Sequence, residues 1–170
     1  MSEADITSWH VSVAAESFAA GLFARCGLDV SVQYGPNQPE YDLVVVRGEQ
    51  FLKISVKGSK TGSWGLTQSH LQEANYHGAA DTWLDLHQPR TVFCLVQFKD
   101  VALTECPRVY LATPREIATR LKETSAGRGG TILYKKRAWG PRAHGTGTVD
   151  QIPESWGFSI ERIEHLINEA

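Results

Sequence analysis

The sequence predicts one mixed α/β domain, a central β-sheet flanked by helices, over residues 1–170. Three observations carry this. Thr91 to Phe98 (TVFCLVQF) is almost wholly apolar, as a strand buried on both faces must be. Tyr41–Val46 and Gln50–Lys57 are two β-rich runs joined by a short turn that contains Gly48, the pattern of a hairpin. Stretches with apolar residues at helical spacing bracket these strands, and neither a linker nor a repeat divides the chain.

The elements follow in order. Ile6 to Cys26 reads as an amphipathic helix on Val11, Ala15, Phe18, Leu22 and Cys26, with Thr7 or Ser8 to cap it and Gly27 to end it. A strand over Val30–Tyr34 leads into the turn Gly35–Pro39. In the second arm of the hairpin, Leu52, Ile54 and Val56 alternate with Lys53, Ser55 and Lys57. That polar face is either a solvated edge strand or the floor of a cleft. Gly58–Gly65 is a polar loop. Ser69-x-x-Gln72 fits a capping box opening a helix to about Leu86, closed by Pro89. Arg108–Ala112 is a strand, and Pro114 starts a helix through Leu121. Thr131–Tyr134 is a further strand between the loops Gly127–Gly130 and Pro141–Gly147. Ser159 caps a last helix carrying Ile160, Ile163, Leu166 and Ile167. The predicted order is αβββαββαβα.

Hydrophobic residues make up 42% and charged residues 21%, which excludes a disordered chain. With 17 basic and 19 acidic side chains the net charge is −2, too little positive charge for a protein that binds polyanions by bulk attraction. The charge is unevenly placed, however. Arg108–Arg142 holds nine Lys/Arg and two acids, a segment of +7 on a remainder of −9. Such a segment suits a polyanion-binding face or plain solvated helices and loops. Three cysteines without a CxxC pair give no disulfide framework or structural zinc site, and a reducing cytoplasm is the expected compartment. Glu3 and Asp5 near the start, and no long apolar run, predict neither a leader peptide nor a membrane anchor.

Four features carry chemistry together: Glu16 on the first helix, Asp42 at the head of the hairpin, Ser55-Val56-Lys57 on its second arm, and Glu73 beyond. If the register puts Asp42 and the 53/55/57 face on one side, a carboxylate and an ammonium share a spot. Carboxylate oxygens that hold Mg²⁺ beside a lysine suit phosphodiester hydrolysis.

This ordered set resembles the PD-(D/E)xK nuclease superfamily, which includes restriction endonucleases, archaeal Holliday-junction resolvases and some homing endonucleases. The resemblance covers roughly Ile6 to Lys99. It implies a restriction-endonuclease-like fold with an αβββαβ core, about residues 6–121, and a C-terminal basic extension and helix over 122–170. The motif's Asp falls on Asp42 in Glu40-Tyr41-Asp42, where Tyr replaces the usual Pro; its lysine falls on Lys57, and the frequent helical Glu on Glu16. At position 55 the family expects an acid and this chain has Ser. One branch of restriction enzymes reads SxK and takes its second carboxylate from the following helix, a role that falls here on Glu73. The implied metal is Mg²⁺ or Mn²⁺, held by Asp42, Glu73 and Glu16. The implied partner is nucleic acid, DNA in preference to RNA, and dimerisation is common among such enzymes. A nuclease-fold module without catalysis, binding nucleic acid or a protein, is the alternative that Ser55 keeps open.

Three other patterns bear on ligands. His70, Glu73, His77 and Asp81 would stack along one face of a 69–86 helix, as zinc ligands do, but without the HExxH order of the metalloproteases. Arg128 in the Gly127–Gly130 loop can approach phosphate. Lys135-Lys136-Arg137-Ala138-Trp139, with Arg142 and His144, mixes charge with an aromatic ring and suits a phosphate backbone or an unpaired base. Lys53 and Lys60 complete the expected nucleic-acid contacts.

Overall fold

The computed structural model describes residues 6–33, 40–88 and 90–169. Tyr34, the predicted turn at 35–39 and Pro89 lie outside the described residues.

Helix α1 (Ser8–Arg25) begins where the Thr7 side chain accepts the His10 N–H while the His10 ring accepts the Thr7 N–H, a reciprocal cap. It ends at Cys26, and Gly27 takes φ +78. Strands β1 (Asp29–Val32), β2 (Leu43–Arg47) and β3 (Gln50–Ser59) form an antiparallel meander. The β2–β3 turn is tight because Gly48 accepts φ +62. After the short strand β4 (Ser63–Gly65) and a 3-10 turn at Gln68–His70, helix α2 (Tyr76–Asp85) leads into β5 (Thr91–Gln97), whose every residue is buried. Strand β6 (Arg108–Ala112) precedes helix α3 (Pro114–Glu123), where Thr113 and Glu116 make a capping box. Strands β7 (Ile132–Tyr134), β8 (Lys136–Ala138) and β9 (Val149–Gln151) and helix α4 (Ile160–Glu169) follow, the last entered with Ser159 Oγ accepting the Arg162 N–H at 3.0 Å.

The central sheet has the order β1-β2-β3-β5-β6. β3 pairs with β5 in parallel and the other neighbours are antiparallel, so the sheet is mixed. Two apolar layers cover it. Ala15, Ala19 and Phe23 of α1 and Ile163, Leu166 and Ile167 of α4 pack with Leu52, Ile54 and Val56. Ala80 and Trp83 of α2 and Ile117, Ala118 and Leu121 of α3 pack with Phe93 and Leu95. The predicted mixed α/β domain is therefore present, with four α-helices among the described residues.

Several expectations need correction. The 69–86 helix does not exist as one element: Glu73 and Ala74 take φ +47 and +59, left-handed values that a helix cannot contain. Ser69 and Gln72 make no capping box, and Asn75 instead caps α2 by accepting the Gly78 N–H at 2.9 Å. The buried stripe of α1 is Val11, Ala15, Ala19 and Phe23, rotated from the predicted one, and Phe18 is exposed. Small residues face the sheet because α1 lies close to Gly58, where a Cβ would stand 2.8 Å from Val11 Cγ1 and 3.0 Å from Ala15 Cβ. β3 is an interior strand, not a solvated edge. The short strands β4, β8 and β9 are absent from the predicted order: β4 is recruited by the distant β7, and β8 and β9 pair with each other.

Candidate active site

Strands β2 and β3 separate just before Leu43. Leu43 pairs with Ile54, and the Asp42 N–H still donates to the Ile54 carbonyl at 2.8 Å. Beyond that point β2 no longer supplies a carbonyl for the next outward-facing amide of β3. Asp42 Oδ2 takes its place and accepts the Val56 N–H at 2.6 Å. The carboxylate is thereby fixed beside the residue that precedes Lys57. Alternation along β2 puts Asp42 on the face opposite buried Leu43, the face that β3 gives to Ser55 and Lys57.

Helix α1 brings Glu16 to the same place. Ser12, Glu16, Asp42 and Lys57 line one cavity of about 390 Å³, walled by Gly58 and by Ser63–Leu66. Burial raises the Glu16 pKa and the negative charge of Asp42 raises it further, while Lys57 acts to lower it. The three charged groups thus sense one another. The outer wall is fixed by Trp64, whose indole N–H donates to the Lys57 carbonyl at 2.8 Å. Ser59 Oγ ties the preceding turn by accepting N–H groups of Gly62 and Ser63 at 3.0 and 3.1 Å and donating to the Ser63 carbonyl at 2.8 Å.

The other predicted site residues fall as follows. Ser55 is buried, 2% exposed, on the Asp42 face of β3. Glu73 sits exposed in the left-handed turn before α2 and does not line the cavity, so the displaced acid expected from the SxK branch is not brought to Asp42 and Lys57. The zinc-like face also dissolves. His70 lies in the 3-10 turn, His77 bonds the Gly127 carbonyl at 3.0 Å, and Asp81 pairs with Lys122. Among the described residues no three His, Cys, Asp or Glu side chains converge as a metal site. Mg²⁺ commonly takes only one or two protein carboxylates, the number that Glu16 and Asp42 present to this cavity.

The basic residues are dispersed. Lys53 bonds Gln88 and lies over the Tyr41 ring, and Lys60 donates to the Ile6 carbonyl at 2.9 Å. Arg128 lies 5.5 Å from the Tyr76 ring centre. Arg137 Cζ lies 4.5 Å from the Tyr134 ring centre and 4.4 Å from that of Trp139. Arg142, His144 and Trp139 line a separate hollow of about 310 Å³ with Arg128. Asp150, 6% exposed, organises this region by accepting from Arg120 at 2.6 Å, from the Ser125 N–H at 2.9 Å and from the Trp139 indole. Lys135 and Lys136 gather with Lys99 and Arg108, which sequence reasoning did not place at a site. The basic tract reaches the cavity through β7, which pairs with the β4 wall: Ser63 opposes Tyr134, and the Lys135 N–H donates to the Gly62 carbonyl at 2.8 Å.

One carboxylate missed as structural is Glu40, two residues before Asp42. It accepts from Thr91 and from the Gln88 N–H, and lies 3.3 Å from His87 Nδ1. Burial pushes its pKa up, but the bonds from Thr91, Gln88 and His87 outweigh this and hold it low. Glu40 thereby fastens the segment entering β2 to the start of β5, which keeps Asp42 in register.

No helix among the described residues is long and apolar enough to cross a membrane. No protein-family model, curated protein or solved structure matches this chain.

Proposed function

We propose that the chain is a divalent-metal-dependent nuclease of restriction-endonuclease-like fold, hydrolysing phosphodiester bonds in DNA in preference to RNA. The observation that carries the reading is the meeting of Glu16, Asp42 and Lys57 in one cavity, although they come from a helix and two strands. The order α1, β1–β3, α2, β5 also supports it, since αβββαβ is the core that the resemblance implies. Three free thiols suit a reducing compartment such as the cytoplasm.

Asp42 and Glu16 would hold Mg²⁺ or Mn²⁺, helped by the backbone carbonyl of Ser55 or Val56. Such an ion polarises a phosphoryl oxygen and lowers the pKa of a bound water. Lys57 orients the attacking water and offsets the charge that grows on the phosphoryl oxygens. Asp42 can do its part without rearrangement because the Val56 N–H already fixes it. Burial first and the negative charge of Asp42 second raise the Glu16 pKa, and a bound cation would offset the second of these.

The test is cleavage of end-labelled single-stranded and duplex DNA with and without Mg²⁺. Asp42→Asn and Lys57→Met should each abolish metal-dependent product while the fold, checked by circular dichroism, persists. Product unchanged in both variants rejects the reading. Ser55 and the position of Glu73 favour a second reading, a nucleic-acid-binding module without catalysis. That module would bind DNA in a salt-sensitive manner and give no metal-dependent product.

A further inference from the structure

Lys99, Arg108, Lys135 and Lys136 line a cavity of about 150 Å³, in which Asp100 is the one acid among the described residues. None of the four makes an ion pair among the described residues. They come from the ends of three separate segments, so their meeting is a product of the fold and not of one basic run. Arg108 is aimed: its Nη1 donates to Gln97 Oε1 at 3.1 Å and to the Lys99 carbonyl at 2.9 Å. Gln97 is itself 1% exposed, and its amide also donates to the Lys99 carbonyl at 3.1 Å. Lys135 is held by its own backbone bond to Gly62.

Gathering like charges costs stability unless an anion sits among them. Here the cost is visible. Burial lowers the Lys135 pKa, Arg108, Lys99 and Lys136 lower it further, and Asp100 offsets only part. The cavity is well below the roughly 300 Å³ where small-molecule pockets begin, too small for a nucleoside but suited to one phosphoryl group. It also has a neighbour. Gly62 borders it, while the next two residues, Ser63 and Trp64, border the cavity of Glu16, Asp42 and Lys57.

We infer that Lys99, Arg108, Lys135 and Lys136 form a phosphate-binding subsite across the Thr61–Ser63 turn from the catalytic cavity. The assignment of that phosphate to a nucleic-acid strand rests on the nuclease reading; the subsite itself does not. A strand held there by one phosphate would lie with a nearby phosphodiester at Asp42 and Lys57.

Two measurements test it, with the full chain in EDTA so that cleavage plays no part. In the first, inorganic phosphate is titrated at constant ionic strength against chloride while thermal unfolding is followed. Phosphate should raise the Tm of the wild type, and Lys99→Gln/Lys135→Gln should lose that rise. In the second, anisotropy reports binding of single-stranded oligonucleotides with a 5′-phosphate or a 5′-hydroxyl. The double variant should lower the salt slope by about 1, as the loss of one phosphate contact does. The exposed Lys136→Gln should weaken both responses without risk to the fold. A loss seen on both oligonucleotides identifies an internal phosphate, and a loss confined to the 5′-phosphorylated strand a terminal one; either supports the subsite. Phosphate stabilisation that disappears in the variant, without oligonucleotide binding by the wild type, upholds the subsite and removes the nucleic-acid reading. Equal phosphate and oligonucleotide responses in wild type and variants overturn the subsite.

Discussion

Asp42 Oδ2 accepts the backbone N–H of Val56 at 2.6 Å, where β2 and β3 part. A side chain completes a sheet ladder there, and in doing so the sheet dictates where a carboxylate stands relative to Lys57. The proposed catalytic role of Asp42 and its architectural role are therefore separable only by choice of substitution. Asp42→Asn keeps an oxygen to accept that bond and removes the charge. It should lose Mn²⁺ affinity while keeping a urea midpoint near that of the wild type. Asp42→Ala leaves the Val56 amide unpaired and should cost about 1–3 kcal/mol in addition. Equal stability of Asn and Ala variants would contradict this arrangement.

Gly58 follows Lys57 and lets α1 approach the sheet. A Cβ there would meet the Val11 carbonyl as well as its side chain at 2.8 Å. Gly58→Ala should therefore push α1 away and carry Glu16 with it. The expected cost is about 1–3 kcal/mol by urea denaturation, the range for overpacked cores, together with loss of metal-dependent cleavage. Wild-type cleavage by this variant would show that Glu16 is not needed at its present position.

The pKa of Glu16 lies above its ordinary value of 4.5, through burial first and Asp42 second. The folded state holds this proton more tightly than the unfolded chain, so stability falls as pH rises through the interval between the two values. Glu16→Gln removes the charge and should raise the Tm relative to wild type at pH 8 in EDTA, with no gain at pH 4. A gain of the same size at both pH values would assign the effect to packing instead of charge.

Arg162, 7% exposed, donates to the Leu111 carbonyl at 3.1 and 3.2 Å and to both carboxylate oxygens of Glu116. It joins α4 to the end of β6 and to the cap of α3. Arg162→Ala leaves those acceptors without their partner and should destabilise by about 3 kcal/mol, measured by urea denaturation. A change below about 1 kcal/mol would mean that water replaces the guanidinium at little cost.

The parts of this fold that were legible in the sequence are those decided locally. Thr91–Phe98 declares itself as a buried strand, the Gly48 turn as a hairpin, and Pro114 as a helix start. Of the ordered set Glu16, Asp42, Ser55-Val56-Lys57 and Glu73 that the sequence offers, Glu16, Asp42 and Lys57 line one cavity and Glu73 does not. What misled was decided at a distance. Ser69 and Gln72 look like a cap, yet β4 just before them pairs with the distant β7, and the chain turns left-handed at Glu73 and Ala74. The buried stripe of α1 depends on Gly58, on another element. Lys99 sits alone in a loop in the sequence; the pairing of β5 with β6 brings it to Arg108, and the bond from Lys135 to the Gly62 carbonyl brings the lysines of 135–136 to both.

Because Glu73 stands outside the cavity, its carboxylate should be dispensable. Its left-handed backbone favours Asn over Glu, so Glu73→Asn should cleave like the wild type and be no less stable. Loss of cleavage would return Glu73 to the metal shell.

In the proposed function, Glu16, Asp42 and Lys57 form one cation-binding, phosphodiester-handling site. The most direct measurement is anomalous diffraction from crystals of the wild type and of Asp42→Asn soaked in Mn²⁺. A peak is expected beside Asp42 and Glu16 in the wild type, and its loss in the variant. Wild-type crystals without a peak in that cavity, or with one that persists in Asp42→Asn, would contradict it.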